Sequence, residues 1–377
     1  MRIYLDNAAT TPIREEVIEA MLPIMRAHFG NPSSIHAEGR KVRAEIEKAR
    51  RTVAKCINAS IGEIFFTSGG TEANNMAIKG AVRDLGVTRI ITSPLEHHCV
   101  LHAVDAMQRD CDIEVTQVQL TEKGYVDYAH LEVLLKNTTR KTLVSLMHAN
   151  NEIGVLLDLE RVSELCTENN ALLHSDTVQT IGHFPIDVSK TTVHFLSGAG
   201  HKFHGPKGVG FIYINGDNTL KPFIDGGAQE RNMRGGTENV YGIVGMATAL
   251  QLANEELLSN KTYIQDLRSY MAQQLKRTFP DIHFHSDLEQ DALYTVLSVS
   301  FPPSQRAEML LLNLDIAGIS VSGGSACSSG TDVGSHVIDA LKGDPTRKTI
   351  RFSFSHYNTK TEIDVVLLEL RKILPSG

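Results

Sequence analysis

The chain lacks paired cysteines, long apolar runs and any large excess of charge. Its five cysteines, at positions 56, 99, 111, 166 and 327, are odd in number and contain no C-x-x-C pair. Neither a disulfide framework nor a zinc site is therefore encoded, and a reducing compartment is expected. No stretch approaches the roughly 20 apolar residues of a membrane span, and the amino terminus meets an acid at Asp6 before any apolar run develops. A cytoplasmic location is the resulting expectation. Lys plus Arg number 37 against 44 Asp plus Glu, a net charge of -7 that mildly repels a polyanion and argues against nucleic acid as the main ligand. Repeats, low-complexity tracts and long linkers are also missing. What remains is 377 residues, 42% hydrophobic and 21% charged, with 29 glycines and 12 prolines. That is the profile of a globular protein of two or three folding units, long enough to bury a large core without covalent staples.

Up to about residue 245, short β-rich runs alternate with amphipathic helical patterns. The segments 64–67, 89–92, 113–118, 142–147, 171–174, 193–196 and 209–214 read as strands. Val42, Ile46, Ala49, Val53 and Cys56 recur at steps of four and three, which lays one apolar stripe of a helix against a core. Its other face carries Arg40, Lys41, Arg43, Lys48, Arg50, Arg51 and Lys55. This face is expected to be solvated and balanced by Glu45 and Glu47, with docking of an acidic partner as the alternative. The alternation predicts an α/β fold, a mostly parallel sheet with helices on both faces and a ligand crevice at the carboxyl ends of its strands. A helical stretch over 245–279 follows. Beyond it, a strand at 294–301, a helix at 308–317, a strand at 349–355 and a helix at 362–374 read as a smaller α+β domain packed on the first.

Four strand ends carry polar clusters. Thr67-Ser68-Gly69-Gly70-Thr71-Glu72 runs from a strand through two glycines into a helix. Small residues there let backbone N–H groups approach a phosphate, which the helix dipole also favours. A tight turn with Thr71 as N-cap fits the same residues. The second cluster is His148-Ala149-Asn150-Asn151-Glu152, and the third is His174-Ser175-Asp176-Thr177-Val178-Gln179. Burying Asp176 is costly unless something positive meets it, as a protonated ring nitrogen of a cofactor would; capping a following helix is the equal alternative. In the fourth cluster, 197–208, Lys202 stands among small residues. Partial desolvation would lower its pKa and free its amine for a Schiff base, against the ordinary reading of a solvated loop lysine. A phosphate loop, an acid for a pyridinium and a Schiff-base lysine are together what a protein contributes to holding pyridoxal phosphate. Cys327 lies within Ser322-Gly323-Gly324-Ser325-Ala326-Cys327-Ser328-Ser329-Gly330, among small and polar neighbours that suit a reactive thiol better than a core one; an anion-binding nest is the rival reading. Arg351, inside a β-rich run, suits a clamp on a substrate carboxylate or a structural salt bridge.

The segments 4–12 and 67–75, Asn150-Asn151-Glu152-Ile153-Gly154, His201-Lys202 with Gly205-Pro206-Lys207-Gly208, Arg234-Gly235-Gly236-Thr237 and Gly324-Ser325-Ala326-Cys327 resemble the class V aminotransferase-like cysteine desulfurases over essentially the whole chain. The Gly-Ser-Ala-Cys form is similar to the NifS/IscS group rather than the SufS group. The resemblance implies a pyridoxal-phosphate enzyme of fold type I, a homodimer with a large cofactor-binding domain over 13–257. A small domain formed by 1–12 and 258–377 would carry the cysteine loop. The activity implied is conversion of L-cysteine to L-alanine, with the sulfur kept on Cys327 as a persulfide. A sulfur-acceptor protein in iron-sulfur cluster assembly or tRNA thiolation would then receive it. A selenocysteine lyase or another class V aminotransferase is the alternative. By motif position, Lys202 would carry the cofactor and move protons, Asp176 would pair with the pyridinium, and catalytic His97 would stack on the ring. Asn151 and Gln179 would bond near the ring hydroxyl, and Gly70, Thr71 and His201 would hold the phosphate. Thr237 would reach the phosphate bound in the other subunit, Arg351 and Asn151 would orient the substrate carboxylate, and Cys327 would attack its sulfur. Three departures stand out. Ala199 occupies a place where a phosphate-binding Ser is frequent, so one bond is lost unless Ser197 or backbone supplies it. Thr177-Val178 alters packing near the ring, and the chain stops at Gly377 without the longer tail that some relatives use to dock a scaffold.

Overall fold

The computed structural model describes residues 2–323 and 334–374. Twelve strands are introduced in chain order: β1 Ile3–Tyr4, β2 Ile64–Thr67, β3 Arg89–Thr92, β4 Glu114–Gln117, β5 Thr142–Ser145 and β6 Leu172–Asp176. They continue as β7 Phe195–Ala199, β8 Gly210–Ile214, β9 His283–Phe284, β10 Val296–Phe301, β11 Ile319–Ser320 and β12 Lys348–Ser353. Seven form the central sheet in the order β2-β8-β7-β6-β5-β3-β4. Its parallel pairs are β4 with β3, β3 with β5, β5 with β6 and β6 with β7, while β8 pairs antiparallel with both β7 and β2. Six strands thus point the same way, and their carboxyl ends share one edge.

Consecutive residues along these strands divide between two cores. Phe66, Ile91, Val144, Leu173, Leu196 and Phe211 pack with the helices Ala37–Cys56 and Val240–Glu255. Phe65, Ile90, Leu143, Phe195 and Ile212 pack on the other face with the helices Gly70–Leu85 and His98–Cys111. A strand covered on both faces needs apolar residues at every position, which is why these segments read as unbroken hydrophobic runs. A third core gathers the helices Leu257–Thr278 and Lys360–Ile373 over the antiparallel sheet β12-β10-β9, and includes Ile3 and Leu5. The amino terminus reaches this core because β1 pairs parallel with β11.

Three expectations need correction. The helical stretch over 245–279 is two helices that part at Glu256, whose carboxylate binds Arg14 at 2.7 Å. Strands β6 and β7 run further than their apolar cores, through Asp176 and Ala199, because buried partners satisfy their polar ends. Arg50 is not on a solvated face. It is fully buried, forks onto Glu230 at 2.7 and 2.8 Å, and donates to the Ile64 carbonyl at 2.8 Å. Glu230 also accepts the Phe66 N–H, so this ion pair fastens the helix Ala37–Cys56 and the loop near 230 to β2. The apolar stripe opposite, from Val42 to Val53, is buried as expected.

Removing one partner of a buried pair strands the other charge, at a cost of about 3–5 kcal/mol. Glu230→Gln is expected to lower unfolding free energy by that order in urea titration, whereas Arg50→Met combined with Glu230→Leu recovers part of the loss. A single variant as stable as the parent would show that the pair is dispensable.

Candidate functional site

A cavity of about 340 Å3 opens at the carboxyl edge of the sheet. Gly70, Thr71, His97, Asn151, Asp176, Gln179, His201, Lys202 and Arg351 all line it, so nine residues singled out from separated segments meet in one place. Thr237 is exposed and does not line this cavity. Its segment is nevertheless held against the glycine loop by an ion pair between Arg234 and Glu72 at 2.8 Å. Cys327 lies outside the described residues.

At the first strand end the helix begins at Gly70, capped by Gly69 with no side-chain cap, so Thr71 lies inside the helix and the N-cap alternative falls. The glycine is required at 70. A Cβ there would stand 2.5 Å from Val178 Cγ2. The first N–H groups of a helix have no intrahelical acceptor, which leaves them facing this gap for an anion. His201 contacts Thr10 Oγ1 through Nδ1 at 3.2 Å, and burial beside Lys202 and Lys207 pushes its pKa down to about 4. Ala199 lines the cavity. Ser197 does not replace the missing hydroxyl, since it is buried and donates to Asp176 at 3.3 Å.

Asp176 ends β6 with its side chain almost wholly buried. No helix follows it, so the capping alternative also falls. Its carboxylate accepts from Asn74 Nδ2 at 2.6 Å, Val178 N–H at 3.0 Å and Ser197 Oγ–H at 3.3 Å. Lys202 follows β7 in a short turn, and its Nζ donates to the carbonyls of Ala8 at 2.6 Å and Ala9 at 2.9 Å. Gln179 donates an amide hydrogen to the same Ala8 carbonyl at 3.0 Å. His97 N-caps the helix His98–Cys111, its Nδ1 accepting from the Cys99 N–H at 3.2 Å. Burial, only partly offset by the charge of Asp176, lowers its pKa. The neutral ring therefore carries its proton on Nε2. Arg351 forms the structural salt bridge of the second alternative. It pairs with Asp6 at 3.0 Å and donates to the Asn151 carbonyl at 2.9 Å, while its buried Nε finds no acceptor among the described residues.

Reasoning from sequence misses some contributors. The carbonyls of Ala8 and Ala9, Asn74, Glu96 and His336 all belong to this region, and only the conformation of the chain shows them. Glu96, the neighbour of His97 in sequence, is buried and accepts from the Met147 N–H; burial, with Asp176 nearby, holds its carboxyl well above the usual range.

Burial keeps His148 and His174 neutral down to about pH 4. Unfolded histidines take up protons near pH 6.5, so between those limits the unfolded chain binds more protons and stability falls as pH falls. Glu96, whose carboxyl burial holds well above the usual range, acts in the opposite sense at these pH values but is outnumbered. The melting temperature of the cofactor-free protein is expected to drop from about pH 7 to about pH 5, with a shallower drop in His148→Gln. A flat profile would show that these rings are not held neutral.

The chain is similar along nearly its whole length to known proteins. The family described as Aminotransferase class-V matches residues 3–366. A cysteine desulfurase IscS of Dictyoglomus turgidum is 42% identical over 376 residues, covering 99% of this chain and 94% of that protein. A solved NifS-like protein superposes with a TM-score of 0.91 at 38% identity, covering 99% of each chain. Another, solved as SspA in complex with cysteine, has a TM-score of 0.81 at 29% identity, covering 95% of this chain and all of that one. The shared length, the fold and the converging strand ends lead to one conclusion: the chain belongs to the aminotransferase class V family, among its cysteine desulfurases of the IscS/NifS group.

Proposed function

We propose that this chain binds pyridoxal phosphate in the 340 Å3 cavity, takes sulfur from L-cysteine and releases L-alanine, keeping the sulfur on Cys327 as a persulfide. The observation that carries this reading is the meeting of Lys202, Asp176, His97 and the Gly70 helix start around one cavity. The residues fit the group. The notch at Gly70 has no room for a side chain, the acid for a pyridinium is already surrounded by donors, and Arg351 Nε lacks an acceptor that a carboxylate would supply.

When bound, pyridoxal phosphate supplies an electron sink for carbanion character at the substrate Cα. The chain's own residues do the rest. Gly70, Thr71 and His201 would hold the phosphate, and Asp176 would pair with the ring nitrogen. Asn151 and Gln179 would bond near the ring hydroxyl. Lys202 gives and takes a proton at Nζ, where two carbonyls hold the amine at the cavity wall. His97 would stack on the ring, with its proton on Nε2. Arg351 turns the substrate carboxylate with Asn151 beside it. The Cys327 thiolate attacks the substrate sulfur, so that an S–S bond forms as the Cβ–S bond breaks and its electron pair returns to the carbon that becomes the methyl of alanine.

Thr237, exposed in its own chain, is assigned to the phosphate in the other subunit of a homodimer. We divide the chain into a large domain over 13–257 and a small one from 1–12 and 258–377, in line with the separate core that unites Ile3 and Leu5 with the last helices. The persulfide is passed to an acceptor protein for iron-sulfur clusters or tRNA thiolation, and its free thiol suits a cytoplasmic setting. Among the described residues, no helix is long and apolar enough to cross a membrane.

Purified protein given L-cysteine and a thiol reductant is expected to yield alanine and sulfide in equal amounts, and Cys327→Ser to yield neither above background. Undiminished sulfide from Cys327→Ser would sink the persulfide route. Ala199→Ser restores a hydroxyl beside the phosphate and is expected to retain cofactor longer on dialysis; retention equal to the parent's would mean that backbone donors already suffice.

A further inference from the structure

Behind Asp176 runs a chain of fully buried polar groups that the proposed chemistry does not use. Ser145 Oγ lies 2.8 Å from His174 Nδ1, His174 Nε2 lies 3.1 Å from Asn74 Oδ1, and Asn74 Nδ2 donates to Asp176 Oδ2 at 2.6 Å. Ser145, His174 and Asn74 have no exposed surface. The other hydrogen of Nδ2 points at Cys99 Sγ, 3.3 Å away, and that sulfur is 3.0 Å from His97 Nδ1. Every hydrogen-bonding position of the Asn74 amide except one carbonyl lone pair is therefore used.

The direction of this chain follows from charge. An ionised carboxylate only accepts, so Asn74 must turn its NH2 toward Asp176 and its carbonyl toward His174. His174 must then donate from Nε2. Being neutral, as burial requires, it accepts at Nδ1 from the Ser145 hydroxyl. A flipped Asn74 would set its carbonyl oxygen against the carboxylate and also face His174 N–H with its own NH2. The chain thus has one arrangement, and it is the one that delivers a donor to Asp176.

We propose that Asn74 and His174 are positioning residues that orient Asp176 toward the ring nitrogen of the cofactor; this rests on the reading of Asp176 given above. Asn74 is one helical turn from Gly70 on the helix Gly70–Leu85. One rigid turn, about 5.4 Å of rise, therefore links the phosphate notch to the partner of Asp176 and sets the spacing between the two ends of the ligand. The connection with Cys99 places the same amide next to His97, the residue assigned to the ring face.

The test uses the full chain stripped of cofactor and titrated with pyridoxal phosphate, following visible absorbance and affinity, with melting of the cofactor-free proteins as a check on folding. Hydrogen bonds to charged groups are worth enough to change affinity about ten- to hundredfold. Asn74→Leu and His174→Leu are expected to lose affinity by that factor and to shift the absorption band of the bound cofactor. His174→Gln keeps an N–H aimed at Asn74 and is expected to stay near the parent in both. Should Asn74→Leu not fold, the contrast between His174→Leu and His174→Gln decides. Parental affinity and an unshifted band in Asn74→Leu, or equal defects in the two His174 variants, would overturn the proposal while leaving the function standing. A parent that gains no visible band from pyridoxal phosphate overturns both.

Discussion

A carboxylate buried at the end of β6 constrains the rest of the site. Asp176 has almost no contact with water, so its charge must be balanced by donors that the fold supplies. They come from three places: Asn74 on the helix that starts at Gly70, Ser197 on the neighbouring strand β7, and the backbone of Val178 in the turn that follows. Ser197 is therefore unavailable to a phosphate, and Asn74 is committed in orientation. Burial in the same low-dielectric region, with Asp176 nearby, pushes the Glu96 carboxyl well above the ordinary range. None of these three donors is a cation. Under the proposed function, a positively charged ring nitrogen would complete the balance.

The amino-terminal segment ties this centre to the third core. Ile3 and Leu5 are buried in that core, and Asp6 meets Arg351 at 3.0 Å. Two residues further on, the Ala8 and Ala9 carbonyls receive Lys202 Nζ, and Thr11 accepts the His204 N–H at 2.8 Å while its own N–H goes to the His201 carbonyl. The amine proposed to carry the cofactor and the guanidinium proposed to hold the substrate carboxylate are thus held by points only a few residues apart in one amino-terminal segment. Their separation is set covalently as well as by packing. This gives a physical reason for the motif at 4–12, which combines the Ala8 and Ala9 carbonyls with the side chains of Asp6, Thr10 and Thr11.

Strand ends in a parallel sheet converge whatever their order in sequence, so the acid at 176, the lysine at 202 and the glycine turn at 69–70 are legible as one site from the residues alone. Residues whose contribution is a backbone carbonyl, such as Ala8, leave no signature in side-chain chemistry. Asn74 stands within the motif at 67–75, yet nothing in its neighbours reveals that it faces Asp176, because that contact spans 102 positions. Arg50 misleads for a related reason. Helical periodicity places it outside the apolar stripe, and only Glu230, 180 residues away, offsets the cost of its burial. The ends of β6 and β7 are hard to read because polar residues usually terminate a strand, whereas here their partners lie across the sheet.

Under the proposed function, Arg351 would serve both structure and recognition with one side chain. Its Nη2 is fixed by Asp6 and its Nη1 by the Asn151 carbonyl, so the planar guanidinium has little freedom left. Asp6 is in turn held by the Ser322 hydroxyl at 2.8 Å. Nε alone is left without an acceptor among the described residues, and a buried unsatisfied donor of this kind costs about 1–3 kcal/mol. A structural salt bridge would have no reason to keep that cost, because a water-free fork onto one carboxylate satisfies Nε as well. Under the proposed function, a bound carboxylate approaching beside Nε would remove the penalty on arrival and find the guanidinium already oriented, so that little rotamer entropy would be lost on binding. The ion pair with Asp6 would then be the support that holds Arg351 aligned for a second anion.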